Sequence, residues 1–94
     1  VVPPSSVPLE FDPDKDRSNV EKHGISLARA GDLQILARVA DERFAELRYR
    51  AYGLIGGKPH CLAYVVRGES VRAISLRRAH EKEFRRYAGF EDRL

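Results

Sequence analysis

The chain has 94 residues, with 17 Lys and Arg against 14 Asp and Glu, a net charge of +3 and one cysteine. That length makes one small domain with a thin core, and a single cysteine excludes an intramolecular disulfide and favours a reducing compartment. No stretch reaches the length of a membrane span and the N-terminus lacks a charged-then-apolar signal pattern, so a cytoplasmic protein without a membrane partner is expected.

The Pro/Ser-rich stretch over residues 1–8 reads as a loose arm ahead of one domain over residues 9–94. Asp12 is a helix N-cap, Pro13 suits the first helical position and Gly24 supplies a left-handed stop. Between them Val20 is the one apolar side chain, so this helix is polar nearly all round. Lys15, Asn19, Lys22 and His23 fall at four-, three- and one-residue steps and crowd one face. The competing reading is a solvated face pinned by Phe11, Val20 and Ile25, with His23 favoured by the helix dipole alone.

Ser26 can cap a second short helix running to Leu33. The next segment is ambiguous. Leu33, Leu36, Ala37, Ala40, Phe44 and Leu47 fit a helical stripe, while Leu33, Ile35, Ala37 and Val39 alternate as a strand; pattern alone leans to helix. Beyond it the alternation in "ELRYRAYGL", the turn "IGGK", the run "PHCLAYVV", the turn "RGES" and "VRAISLRR" predict a meander. Residues 46–54 should pair antiparallel with 59–66, and 59–66 with 70–77. A C-terminal helix follows over "AHEKEFRRY", with His80, Phe84 and Tyr87 on one stripe and Gly89 as its stop. The whole is an α+β domain.

Basic residues load the second half. Arg72 and Arg78 should face one side of the last strand and Arg77 the other, with Arg67 at the preceding turn. A guanidinium cluster there makes an anion site, and Arg67, Arg77 and Arg78 are expected to converge on one groove. Tyr49, Tyr52 and Tyr64 on neighbouring strands could stack on bases; alternatively the arginines simply cover apolar surface with their stems. His60 and Cys61 are adjacent in a strand and so point apart, which weakens a Cys/His reading. His23, His60 and His80 lack ligand spacing, so neither a metal nor a cofactor is expected.

"FDPDKDRSNVEKHGIS" followed by "RGESVRAISLRRAHEKE" resembles the BrnT family of type II toxin–antitoxin ribonuclease toxins, within the RelE-like superfamily. The shared residues run from Phe11 to Tyr87. The stretch between Leu33 and Arg48 is shorter than usual, and Ala45 stands where the family has glycine, with Glu46 and Arg48 keeping their spacing. The resemblance implies a RelE-like fold: two N-terminal helices, a curled four-stranded antiparallel sheet that includes the ambiguous segment, and a C-terminal helix. It implies a metal-independent endoribonuclease that cleaves mRNA through 2′-hydroxyl attack and inhibits translation. It further implies a BrnA-like antitoxin partner, assembled as a toxin–antitoxin heterotetramer. Lys22, His23, Glu46, Tyr64, Arg67, Arg77 and Arg78 are then the candidate catalytic residues, and Lys15, Arg48 and Arg72 the candidate RNA contacts. A non-catalytic RNA-binding module and a regulatory subunit of such a complex remain open.

Overall fold

The computed structural model describes residues 8–43 and 45–89. The expected arm, apart from Pro8, lies outside the described residues, as do Phe44 and the chain beyond residue 89. In chain order the elements are β1 (Leu9–Glu10), α1 (Pro13–His23), a 3-10 helix (Leu27–Asp32), β2 (Gln34–Ala40), β3 (Arg48–Ile55), β4 (Lys58–Arg67), β5 (Ser70–Arg78) and α2 (Glu81–Ala88).

They form one sheet in the order β1-β5-β4-β3-β2. The antiparallel pairings of β3 with β4 and of β4 with β5 agree with the sequence reading. The sheet has five strands rather than four and is mixed, because β1 pairs parallel with β5 through Leu9–Val71 and Glu10–Arg72. Nothing in the Pro/Ser-rich start announces that short strand; Pro8 begins it by accepting a hydrogen bond from the Val71 N–H at 2.9 Å.

The segment after Leu33 is a strand, as the resemblance implied and against its own pattern. The cause is a bulge between Ile35 and Ala37. Leu36 and Ala37 both pack under α2 while Ile35 packs on the other face. An inserted residue of this kind breaks the period of two and imitates helical spacing. Gly53 permits the close approach here, since a Cβ on it would lie 2.1 Å from the Gln34 carbonyl oxygen.

Two cores sit on opposite faces of the sheet. The larger joins Leu27, Ala30 and Leu33 to Ala51, Leu62 and Leu76; the smaller joins Tyr52, Cys61, Ala79 and Ala88 to Phe84 and Tyr87 of α2. The second helix is 3-10 rather than α, capped by Ser26 and further tied by Asp16, whose carboxylate accepts from the Leu27 N–H at 2.7 Å and the Ser26 hydroxyl at 2.9 Å.

The polar helix α1 is held by a polar residue. Val20, its one apolar side chain, is 46 % exposed, whereas Asn19 is 5 % exposed. Asn19 bonds the backbone of Leu76 in β5 and the Ile25 carbonyl. Phe11 and Ile25 pack on the core as expected, and Val20 does not. Gly24 ends the helix at φ 71°, donating its N–H to the Val20 carbonyl.

Candidate nucleic-acid interface

Strand register decides which side chains share a face. Opposite the larger core, successive rows across β3, β4 and β5 read Arg48–Val65–Arg72, Arg50–Ala63–Ser75 and Tyr52–Cys61–Arg77. Arg67 lies on this same face by alternation along β4, at the level of Ser70. Three strands therefore project Arg48, Arg50, Arg67, Arg72 and Arg77 to one side. Val65, 2 % exposed, lies under the stems of Arg48 and Arg72.

A bulge makes this arrangement. Ala63 pairs with Ser75 while Tyr64 pairs with Ala73, so Ile74 is the extra residue of β5. The inserted residue reverses the parity of the strand beyond it. Arg72 and Arg77 consequently share a face and Arg78 takes the other, which corrects the facing expected from simple alternation. Arg67, Arg77 and Arg78 do not converge. Arg67 is level with Ser70 and Arg77 with Cys61, six residues apart along β4 and so about 20 Å, and Arg78 sits on the opposite face beside His60.

Helix α2 covers the Tyr52–Cys61–Arg77 row and leaves an open cleft of about 810 Å³ lined by Arg50, Arg77, His80, Lys82, Glu83, Arg86 and Tyr87. Glu83 accepts from both terminal nitrogens of Arg77, at 2.9 and 2.8 Å, and from the Tyr52 hydroxyl at 2.7 Å. Arg50 in turn donates to the Tyr52 oxygen at 2.9 Å. Tyr52 stacks on Tyr87 with centroids 5.0 Å apart, and the Arg50 guanidinium lies 5.0 Å from the Tyr87 ring centre. Arg77 holds the Glu83 carboxyl at about 2, and burial with the Glu83 contact pushes the Tyr52 hydroxyl well above its ordinary range. His80 is the N-cap of α2 and exposed, whereas Phe84 and Tyr87 of the expected stripe do pack inward.

Helix α1 stands at the rim of the same face. Lys15, Lys22 and His23 gather with Ser18 and Asn19 around a cleft of about 140 Å³ whose far wall is Ile74 and Ser75. Ser75 shares its row with Arg50, two strand spacings or about 10 Å away. The helix face read from the sequence thus meets the arginine face at the β5 bulge.

Other expected residues lie elsewhere. Tyr64 is on the opposite face, 3 % exposed and stacked on Tyr49 at 5.6 Å. With Tyr52 fully buried and Tyr49 on that far face, the expected three-tyrosine stacking platform is not formed. Glu46 precedes β3 and accepts from Arg48 at 2.9 Å, while Arg72 meets Glu10 at 3.5 Å. Cys61 is buried, which pushes its thiol up, and His60 bonds the Lys58 carbonyl at 2.7 Å. Of the cleft residues, Arg50, Lys82, Glu83 and Arg86 carry no role legible in the sequence, and Tyr87 is legible there only as part of the apolar stripe of α2. Only the R-x-R spacing with Arg48 pointed to Arg50, and no local pattern ties Glu83 to Tyr52.

The model of a protein family described as ribonuclease toxin, BrnT, of type II toxin-antitoxin system matches residues 11–83. The chain belongs to the BrnT family. The match takes in α1, β2 to β5 and the start of α2 as far as Glu83. Among solved structures, the 1.1 Å crystal structure of the Brucella abortus ribonuclease toxin BrnT is similar at a TM-score of 0.62 and 24 % identity, covering 80 % of this chain and 99 % of that one. That likeness concerns the fold. A comparison with curated proteins finds no match. Membership places the chain among ribonuclease toxins, whose systems pair an RNA-cleaving toxin with an antitoxin. No helix among the described residues is long and apolar enough to cross a membrane.

Proposed function

We propose that this BrnT-family chain is an endoribonuclease that cleaves mRNA on the arginine face without a metal ion, and thereby inhibits translation. The 2′-hydroxyl oxygen attacks the adjacent phosphorus, the bond to the 5′ oxygen breaks, and a 2′,3′-cyclic phosphate and a 5′-hydroxyl result. The reaction needs a base for the 2′ proton, an acid for the leaving oxygen and cations for the charge that builds on phosphorus. The observation that carries the reading is one sheet face with arginines from three strands and a rim of Lys15, Lys22 and His23. Lys22 and His23 serve as the proton-transfer pair, Arg48 and Arg72 hold flanking phosphates, and Lys15 and Arg67 extend the track. Glu46, tied to Arg48, is the alternative base. Tyr64 and Arg78, on the far face, take no part.

The partner in this reading is a BrnA-like antitoxin that covers the basic face with acidic or apolar side chains, in a complex holding two toxin copies. Co-expression with the product of the adjacent gene tests it: one co-purifying complex of that stoichiometry is expected, and no complex would argue against it. For the chemistry, RNA is incubated with the isolated chain in excess EDTA and the product ends are analysed. Cyclic phosphate ends are expected, with cleavage abolished by a 2′-deoxy sugar at the cut. RNA that is bound but not cut would favour a non-catalytic module.

A further inference from the structure

Of the three arginines that line the cleft beneath α2, Arg86 belongs to the helix, while Arg50 and Arg77 rise from the sheet and differ in their surroundings. Arg77 is already engaged. Both of its terminal nitrogens go to one carboxylate, Glu83, and Nη1 also reaches the Arg78 carbonyl at 3.3 Å. A bidentate, charge-assisted pair is the strong form of such a bond. A phosphate taking Arg77 would have to break it and leave a carboxylate facing an anion.

Arg50 pairs with no carboxylate among the described residues. Its partners are neutral: the Tyr52 hydroxyl and the faces of Tyr52 and Tyr87. Its Nε is buried without a hydrogen-bond partner. A guanidinium so placed keeps its charge without a direct carboxylate partner, with Asp41 acting on it only through space, and has its plane fixed by packing. It also stands in the row of Ala63 and Ser75, where a small residue leaves room and the α1 rim begins.

The orientation of Arg50 depends on Glu83. The Tyr52 hydroxyl has one proton, and Glu83 accepts it; the lone pairs of that oxygen are therefore turned to Arg50 Nη1. With Glu83 neutral or absent, the hydroxyl is free to rotate and oppose Arg50 donor to donor.

We infer that Arg50, not Arg77, is the phosphate-binding arginine of this cleft, and that Glu83 is a positioning residue that aims it through Tyr52 while Arg77 locks Glu83 in place. The inference rests on the RNA reading above and adds the residue that takes the phosphate. A phosphate over Ala63 then has Arg50 on one side and Lys22 and His23 on the other.

The test uses the full chain, isotopically labelled, titrated with a 2′-O-methyl RNA oligonucleotide that cannot supply the nucleophile. The arginine Nε–H signals are followed by NMR. The Arg50 signal is expected to shift and the Arg77 signal to stay. R50Q should weaken binding about tenfold, as loss of one charge-assisted hydrogen bond does, and lower the slope of log affinity against log salt by about 0.7. Y52F should weaken binding too, and adding it to R50Q should weaken binding no further, an outcome that a merely structural Tyr52 would not give. Binding in which Arg77 shifts and Arg50 does not would overturn this inference alone. No oligonucleotide binding by the wild-type chain would overturn the RNA reading with it.

Discussion

Asn19 and Leu76 exchange a pair of hydrogen bonds across the edge of the sheet. The Leu76 N–H donates to Asn19 Oδ1 at 3.0 Å, and Asn19 Nδ2 donates to the Leu76 carbonyl at 2.8 Å. A side-chain amide thus supplies the donor and acceptor that a neighbouring strand would offer, where β1 has ended and β5 is otherwise unpaired on that side. The same contact fixes α1 against the bulge and so places Lys22 and His23. Asn19→Leu should cost about 2–3 kcal/mol in chemical denaturation, because two buried backbone groups lose their partners. It should also reduce RNA cleavage. A variant of unchanged stability would contradict this role.

Acid should weaken the clamp on α2. The Glu83 carboxyl sits at about 2 in the folded protein against an ordinary 4.5, held there first by its hydrogen bonds from Arg77. A depressed carboxyl contributes stability that is fully present above about pH 4.5 and is lost as pH falls towards 2. Glu83→Gln should therefore lower stability at neutral pH by on the order of 1–2 kcal/mol, less than the full shift implies because the pair is partly solvent-exposed. Its stability should also fall less steeply with acid than that of the wild type. Asp41, held at about 2 chiefly by Arg43, keeps part of the acid dependence in both proteins. Parallel acid-denaturation curves would refute the prediction.

Gly53 pairs with Ile35 beside the β2 bulge. A methyl group there would meet the Gln34 carbonyl oxygen at 2.1 Å, a backbone atom that cannot swing aside. Gly53→Ala should destabilise by roughly 2–3 kcal/mol, as overpacking does, with loss of amide-exchange protection in β2 first. Full protection of Ile35 and Ala37 in that variant would show that the strands yield more easily.

The far face gives a control. Tyr64→Phe and Arg78→Gln should leave RNA cleavage at the wild-type rate, because both residues face away from the arginine rows. Loss of cleavage in either variant, with circular dichroism unchanged, would move the site to the other side of the sheet.

The meander was readable because "IGGK" and "RGES" punctuate strands of clean alternation. Where alternation breaks, local pattern misled. The bulge at Leu36 made β2 look helical, and the bulge at Ile74 put Arg72 and Arg77 on one face where simple parity set them apart. Each bulge is one residue of register, which no single segment reveals without its partner strand. Lys15, Lys22 and His23 were found because they lie on one helix, whereas Arg50, Tyr52 and Glu83 meet only through tertiary packing. The burial of Asn19 in place of Val20 is also a product of tertiary structure, since hydropathy ranks them the other way.

In the proposed mechanism RNA is cut where the α1 rim meets the arginine face. The most direct test is the single-turnover rate of RNA cleavage by a variant carrying Lys22→Ala and His23→Ala together, in EDTA and with its fold checked by circular dichroism. Loss of a proton-transfer pair should lower the rate by on the order of a hundredfold or more. A double variant that cleaves as fast as the wild type would show that Lys22 and His23 take no part in proton transfer and that the cut is made elsewhere.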